Sequence, residues 1–132
     1  MLFMNFLRRC TTRNTFQTMS DFPRFEVFLG SDSKFYWQLV VTTDVPILSG
    51  RGYKTKHESL KAISDVIKFS GNDPFFIRKD MMSIPTFGFY LKSPAGRTFA
   101  WSGLYHAEKG RDAAIEKVKE ACKGCTVIDT TL

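Results

Sequence analysis

The chain has 132 residues, 43% of them apolar, enough for one domain with a real hydrophobic core. Its formal charge is +6, from 19 Lys and Arg against 13 Asp and Glu, and no stretch approaches the length of a membrane span. This composition excludes a highly charged disordered polypeptide and a helical membrane protein, and it falls short of the dense basic stripe of a dedicated phosphate binder.

Half of the positive excess sits in residues 1–20, which hold Arg8, Arg9 and Arg13 and no acid. This segment opens with Leu2, Phe3, Met4, Phe6 and Leu7 and carries four threonines, the composition of a mitochondrial transit peptide. A secretory signal fits less well, because the apolar run stops at Arg8-Arg9. A disordered tail is the other reading, with Met19-Ser20-Asp21 as a second credible start. The expected localisation is mitochondrial, in the matrix or against the inner membrane without insertion, or cytoplasmic if the chain starts at Met19.

The body, residues 21–132, opens with a strand at Phe25-Glu26-Val27-Phe28-Leu29 and a turn at Gly30-Ser31-Asp32-Ser33. The next strand, Phe35 to Thr42, alternates: Phe35, Trp37, Leu39 and Val41 share one face, Tyr36, Gln38 and Val40 the other. Val45 to Ser49 is a third strand, and Pro46 within it predicts an edge position, since proline donates nothing to a ladder. After Tyr53, Thr55-x-x-Glu58 has capping-box spacing, and Leu60, Ile63, Val66 and Ile67 form a helical stripe. Gly71 and Pro74 end that helix.

The pattern then returns. Phe75-Phe76-Ile77-Arg78-Lys79 takes the place of Phe25 to Leu29, and Thr86 to Lys92 that of the alternating strand. A shift of 52 positions matches Phe35 with Phe87, Leu39 with Leu91, Tyr53 with Tyr105, Ala62 with Ala114, Ile63 with Ile115 and Val66 with Val118. Arg97 to Ser102 is a strand, about Ala107 to Cys122 a helix with Ala114, Ile115, Val118 and Ala121 inward, and Thr126-Val127-Ile128-Asp129 a closing strand. A period of this length is one supersecondary unit used twice, over about residues 25–74 and 75–130. The expected fold is α+β: two tandem β-β-β-α repeats and a C-terminal strand forming one antiparallel sheet, with two helices on one face. The other face would then be free to meet a partner.

These residues resemble the YegP-like family of small uncharacterised, mostly bacterial proteins. The likeness is carried by Phe25-Glu26-Val27, Lys34 to Leu39, Tyr53-Lys54-Thr55-Lys56 and Ala62-Ile63-Ser64-Asp65-Val66. In the second half it is carried by Phe87 to Lys92, Ser102-Gly103-Leu104-Tyr105, Ala114 to Val118 and Thr126 to Asp129. The family's Ser-Glu before the tyrosine is Gly50-Arg51 in the first copy and Ser102-Gly103 in the second, so any role of that glutamate is absent. The resemblance implies a pseudo-dimer of tandem units, single-unit members pairing as true dimers, and it implies no activity.

No catalytic constellation emerges, and no cofactor or metal site is expected. Cys122-Lys123-Gly124-Cys125 is a C-x-x-C, but it falls at a helix C-terminus, where the dipole disfavours a thiolate, and for zinc it is half a site. His57 and His106 begin the two helices without a catalytic partner. Tyr53 and Tyr105, at equivalent positions, read as packing anchors with a hydroxyl reaching backbone. Arg51, Lys54, Lys56 and Lys61 with Lys34 form a basic cluster, and Tyr36, Gln38, Tyr90 and Lys92 mark the free sheet face. The candidate binding residues are therefore Tyr36, Gln38, Arg51, Lys54, Lys56, Tyr90 and Lys92. The function expected is a non-catalytic accessory module of a larger protein assembly, with RNA binding as the alternative and thiol redox chemistry as a third reading.

Overall fold

The computed structural model describes residues 11–13, 22–42, 45–81 and 84–131. Its strands are β1 (Thr11–Arg13), β2 (Arg24–Leu29), β3 (Phe35–Val40), β4 (Pro46–Ser49), β5 (Phe76–Met81), β6 (Thr86–Lys92), β7 (Thr98–Ser102) and β8 (Thr126–Asp129). Helix α1 (Lys56–Phe69) follows β4, a 3-10 turn (Asp73–Phe75) precedes β5, and α2 (Glu108–Ala121) follows β7. All eight strands form one sheet in the order β1-β8-β2-β3-β4-β7-β6-β5. The rest of residues 1–20, and with it the transit-peptide expectation, lies outside the described residues, as does Cys10. No helix among the described residues is long and apolar enough to cross a membrane.

The sheet is mixed, a correction to the antiparallel sheet expected. Strands β2 to β7 pair antiparallel, but β8 runs parallel to β2 and β1 parallel to β8. Hairpin turns force antiparallel neighbours, whereas a helical crossover allows parallel ones. The chain reaches β8 through α2, so its direction is set by where that helix ends. Pro46 is explained differently as well. Its strand β4 is central, but β7 pairs only with Leu48 and Ser49, so Pro46 begins the strand where no second neighbour needs its missing N–H.

The two β-β-β-α segments pair in matching registers. Phe25 faces Leu39 as Phe76 faces Leu91, and Phe35 bridges Tyr53 as Phe87 bridges Tyr105. The counterpart of Phe25 is thus Phe76 and not Phe75, which belongs to the turn; a one-residue slip would turn every β5 side chain to the opposite face.

Both helices lie on one face of the sheet. Ile63, Val66 and Ile67 of α1 and Ala114, Ile115, Val118 and Ala121 of α2 join Phe25, Val27, Trp37, Leu39, Leu48, Phe89, Leu91 and Val127 in a single core. The Thr55 cap forms as its spacing predicts, its hydroxyl oxygen accepting from the Glu58 amide at 3.2 Å. The Glu58 carboxylate accepts the Thr55 hydroxyl at 3.0 Å, so the reciprocal bond goes to the side chain and not to the Thr55 amide.

Trp37 is the largest fully buried side chain, and it fits because Gly50 has none. A β-carbon built on Gly50 would stand 2.0 Å from the Trp37 indole nitrogen. Gly50→Ala is therefore expected to cost about 1–3 kcal/mol by overpacking, measured by chemical denaturation. Gly71→Ala, where a β-carbon meets nothing within 4 Å, should leave the midpoint close to that of the parent.

Candidate functional site

The face without helices can be followed as a row of registered neighbours: Ile128, Glu26, Gln38, Ser49, Trp101, Tyr90 and Ile77. Its two ends differ. At the β8-β2-β3 end, Ile128 and Val40 are buried. Glu26 accepts from Arg24 Nε at 2.6 Å and from Gln38 Nε2 at 2.7 Å. Tyr36 stacks on Phe28 with centroids 5.8 Å apart and donates its hydroxyl to Asp32 at 2.6 Å. That bond, first among the causes, holds the Asp32 carboxyl below its ordinary range and pushes the Tyr36 phenol up. Tyr36 and Gln38, expected to meet a partner, each donate a hydrogen bond to a neighbour of their own chain.

At the other end the face is open. A cavity of about 490 Å³ lies over β5, β6 and β7, lined by Lys79, Met81, Gly88, Tyr90, Trp101 and Leu104 among others. Trp101 is 41% exposed and Leu104 70%. The contrast between the ends has a cause in the sequence. Gly88 stands at the position equivalent to Tyr36, and Leu104 at that of Gly52. In the first half the Tyr36 ring covers Gly52, so that a β-carbon there would meet it at 2.8 Å. In the second half the ring is missing; Leu104 Cδ2 lies 3.5 Å from where a β-carbon of Gly88 would stand, while Leu104 as a whole stays 70% exposed.

The electrostatics of this end follow from β5. Arg78 is engaged by Asp112 at 3.2 Å and Asp73 at 3.5 Å, and Asp73 also takes Lys119 at 3.0 Å. Buried Arg111 on α2 bonds Asp80 and Asp112 and stands over the Phe87 ring. These acids are consumed by their own network, and among the described residues no carboxylate lines the groove. Lys79, paired in register with Gly88, has no ion pair among the described residues, and Lys92 Nζ stands 5.9 Å from the Tyr90 ring centroid.

The basic cluster is dispersed. Lys56 bonds buried Asp129 at 2.9 Å across 73 positions of sequence, tying the start of α1 to β8. Arg51 lies over Tyr53 at 5.9 Å, and Lys54 is exposed; neither lines the groove. Tyr53 and Tyr105 pack half-buried against the core and bridge to Phe35 and Phe87 through backbone amide and carbonyl at 2.7–2.8 Å, where a hydroxyl bond was expected. Cys122 is a buried thiol, whereas Cys125 is disulfide-bonded. The two thiols of the C-x-x-C are therefore not joined to each other. Among the described residues no cluster of His, Cys, Asp or Glu is placed to hold a metal ion.

Trp101 and Leu104 were missed by the sequence reading, although both were visible as large apolar residues beside strand-end turns. What hid them was the strand alternation, which does not say where a neighbouring ring is absent.

The architecture defines a small α+β protein with one mixed sheet and two helices. The same fold is found in the solution structure of the Escherichia coli protein yegP, of unknown function, with a TM-score of 0.74 and 26% identity over 81% of this chain and 91% of that one. UPF0339 protein SO3888 from Shewanella oneidensis has it too, with a TM-score of 0.74 at 23% identity, over 80% and 89% of the two chains. No family model matches. UPF0339 protein PA0329 of Pseudomonas aeruginosa is 30% identical over 98 residues, 74% of this chain and 88% of that protein. The chain belongs to this UPF0339, YegP-like family of uncharacterised proteins.

Asp129 yields a test of the α1–β8 tie. Burial works to raise its pKa, but hydrogen bonds from the Thr131 hydroxyl and amide and from Lys56 outweigh it and hold the carboxyl below 3.8. A depressed carboxyl contributes stability that is present above the unfolded value and lost as pH falls through the folded one. Asp129→Asn is expected to cost about 1–3 kcal/mol at neutral pH. The gap to the parent should close on acidification below 3.8, read by urea denaturation at stepped pH.

Proposed function

We propose that this chain works by binding and not by catalysis, as an accessory module that receives its partner on the β5-β6-β7 part of the open sheet face. The observation that carries this reading is the groove above Gly88, with Trp101 and Leu104 left exposed beside it. Its lining suits contact more than reaction: Tyr90 and Trp101 offer aromatic surface, Met81 and Leu104 aliphatic surface, and Lys79 charge. Ser102, the hydroxyl nearest the floor, accepts from the Phe89 amide at 2.9 Å and donates to the Gly103 carbonyl at 2.7 Å. Exposed aromatic and apolar side chains gathered around a concavity mark an interaction surface.

The same reading takes the two halves as a duplicated unit assembled as a pseudo-dimer. What supports it is the equivalence of registers on either side of the β4–β7 junction. On this view the halves divide the work. One packs Tyr36 over Gly52 and serves as scaffold; the other, with Gly88, presents the cavity.

Gly88→Tyr tests the proposal, because it supplies the ring that closes the first half. A β-carbon at Gly88 would stand 3.4 Å from Ser102 Oγ and the Gly103 carbonyl and 3.5 Å from Leu104 Cδ2, so the introduced ring must displace the exposed Leu104 side chain. The variant's denaturation midpoint is measured beside that of the parent to confirm that it is folded. A photo-crosslinking residue placed at position 104 should form adducts in native cells, and these should vanish in Gly88→Tyr. The same crosslinker at exposed Lys117 on α2 should form none. Adducts at position 104 that persist unchanged in Gly88→Tyr would refute the groove as the contact surface.

A further inference from the structure

We infer that the occupant of the groove is single-stranded nucleic acid, its bases stacked on Trp101 and Tyr90 and its phosphates met by Lys79 and Lys92. This rests on the groove being the binding surface and names what it binds.

The argument begins with register. Tyr90 and Trp101 are directly paired across β6 and β7, so their rings stand side by side on the flat face of a sheet. Neither ring is stacked on another ring among the described residues; Lys92 Nζ stands 5.9 Å from the Tyr90 ring centroid, and Trp101 is 41% exposed. Two positions along β6, Gly88 lines the same cavity without a side chain, beside the exposed Leu104. Adjacent aromatic side chains on an open sheet are the arrangement on which unpaired bases stack, and every base has a face to offer. The cavity of about 490 Å³ is in the size range of sites that take a nucleotide-sized group.

Charge points the same way. The acids of this edge, Asp73, Asp80 and Asp112, are neutralised by Arg78, Arg111 and Lys119. Among the described residues the lining holds Lys79 and no carboxylate to repel phosphate, and Lys92, outside the lining, places its Nζ 5.9 Å from the Tyr90 ring centroid. An acidic peptide would satisfy the lysines but would leave two adjacent aromatic faces without planar partners. A duplex would satisfy the lysines as well, but its bases face each other. Two phosphate contacts predict a shallow salt dependence, a slope of log K against log salt of about −1.4 for a single strand.

The probe is decauridylate RNA, titrated onto the full chain. Of the two tryptophans, Trp37 is 1% exposed and Trp101 41%, so quenching by stacking reports on Trp101. The expected result is saturable quenching by decauridylate but not by an RNA duplex of equal length. Trp101→Leu should weaken binding of the labelled oligonucleotide roughly five-fold or more, and Trp101→Phe should retain it. Lys79→Ala should reduce the salt slope by about 0.7. Both side chains are exposed, and a matching denaturation midpoint confirms that each variant is folded. Absence of binding by the parent at low salt overturns the inference, as does binding that survives Gly88→Tyr, or poly-glutamate quenching Trp101 as strongly as the RNA. If decauridylate fails while position 104 still crosslinks a protein in a Gly88-dependent way, the groove stands and its occupant is a protein.

Discussion

Two registered residue pairs, Leu48 with Ser102 and Ser49 with Trp101, join the halves of the sheet, and every other feature depends on how that junction is set. Three-stranded antiparallel arrays lie on either side, each with its own helix. Because the junction is short, its stability comes from the core beneath it, where Leu39, Leu48, Leu91 and Ala100 are all fully or nearly fully buried. It also decides what the opposite face displays. Ala100 points into the core and Trp101 away from it; a slip of one residue would exchange them, burying an indole where a methyl fits and erasing the exposed aromatic surface.

The face opposite the helices is therefore one surface only in the topological sense. Its β8-β2-β3 end is closed by bonds among Arg24, Glu26 and Gln38 and by Tyr36 lying over Gly52. Its β5-β6-β7 end is open because Gly88 lacks the ring. A single difference between equivalent positions, tyrosine against glycine, separates a filled half from a concave one. The family comparison agrees with this division of evidence: relatives of known structure share the fold, and none brings an activity with it.

Charge is distributed with similar asymmetry. On the helix side of β5, Arg111 is buried between Asp80 and Asp112 where the equivalent position on α1 holds Ser59. An arginine so enclosed persists because its carboxylate partners meet it there; removing either would strand a charge away from water. The pairing fixes the sheet edge to α2, and in doing so it removes the acids from the groove on the far side. The lysines there are left as the uncompensated charges of that rim.

Hydrophobic period was enough to reveal the strands β2 to β8, their order and the two helical stripes, but not β1, which falls in the segment read as a leader. Ile63, Val66, Ile115 and Val118 had no solution other than a common core, because a stripe at helical spacing must be buried somewhere. The parallel direction of β8, the central place of β4 despite Pro46, and the choice of Phe76 over Phe75 were not legible, since crossovers and ladder ends are set by distant parts of the chain. The same limit applies to the site. Tyr90 and Lys92 could be placed on the correct face from alternation alone. Whether Tyr36 was free or occupied, whether Lys56 met solvent or Asp129, and whether Trp101 stood beside a void were matters of three-dimensional neighbourhood. Periodicity fixes a side chain's direction locally; what stands in front of it is decided only when strands remote in sequence come together.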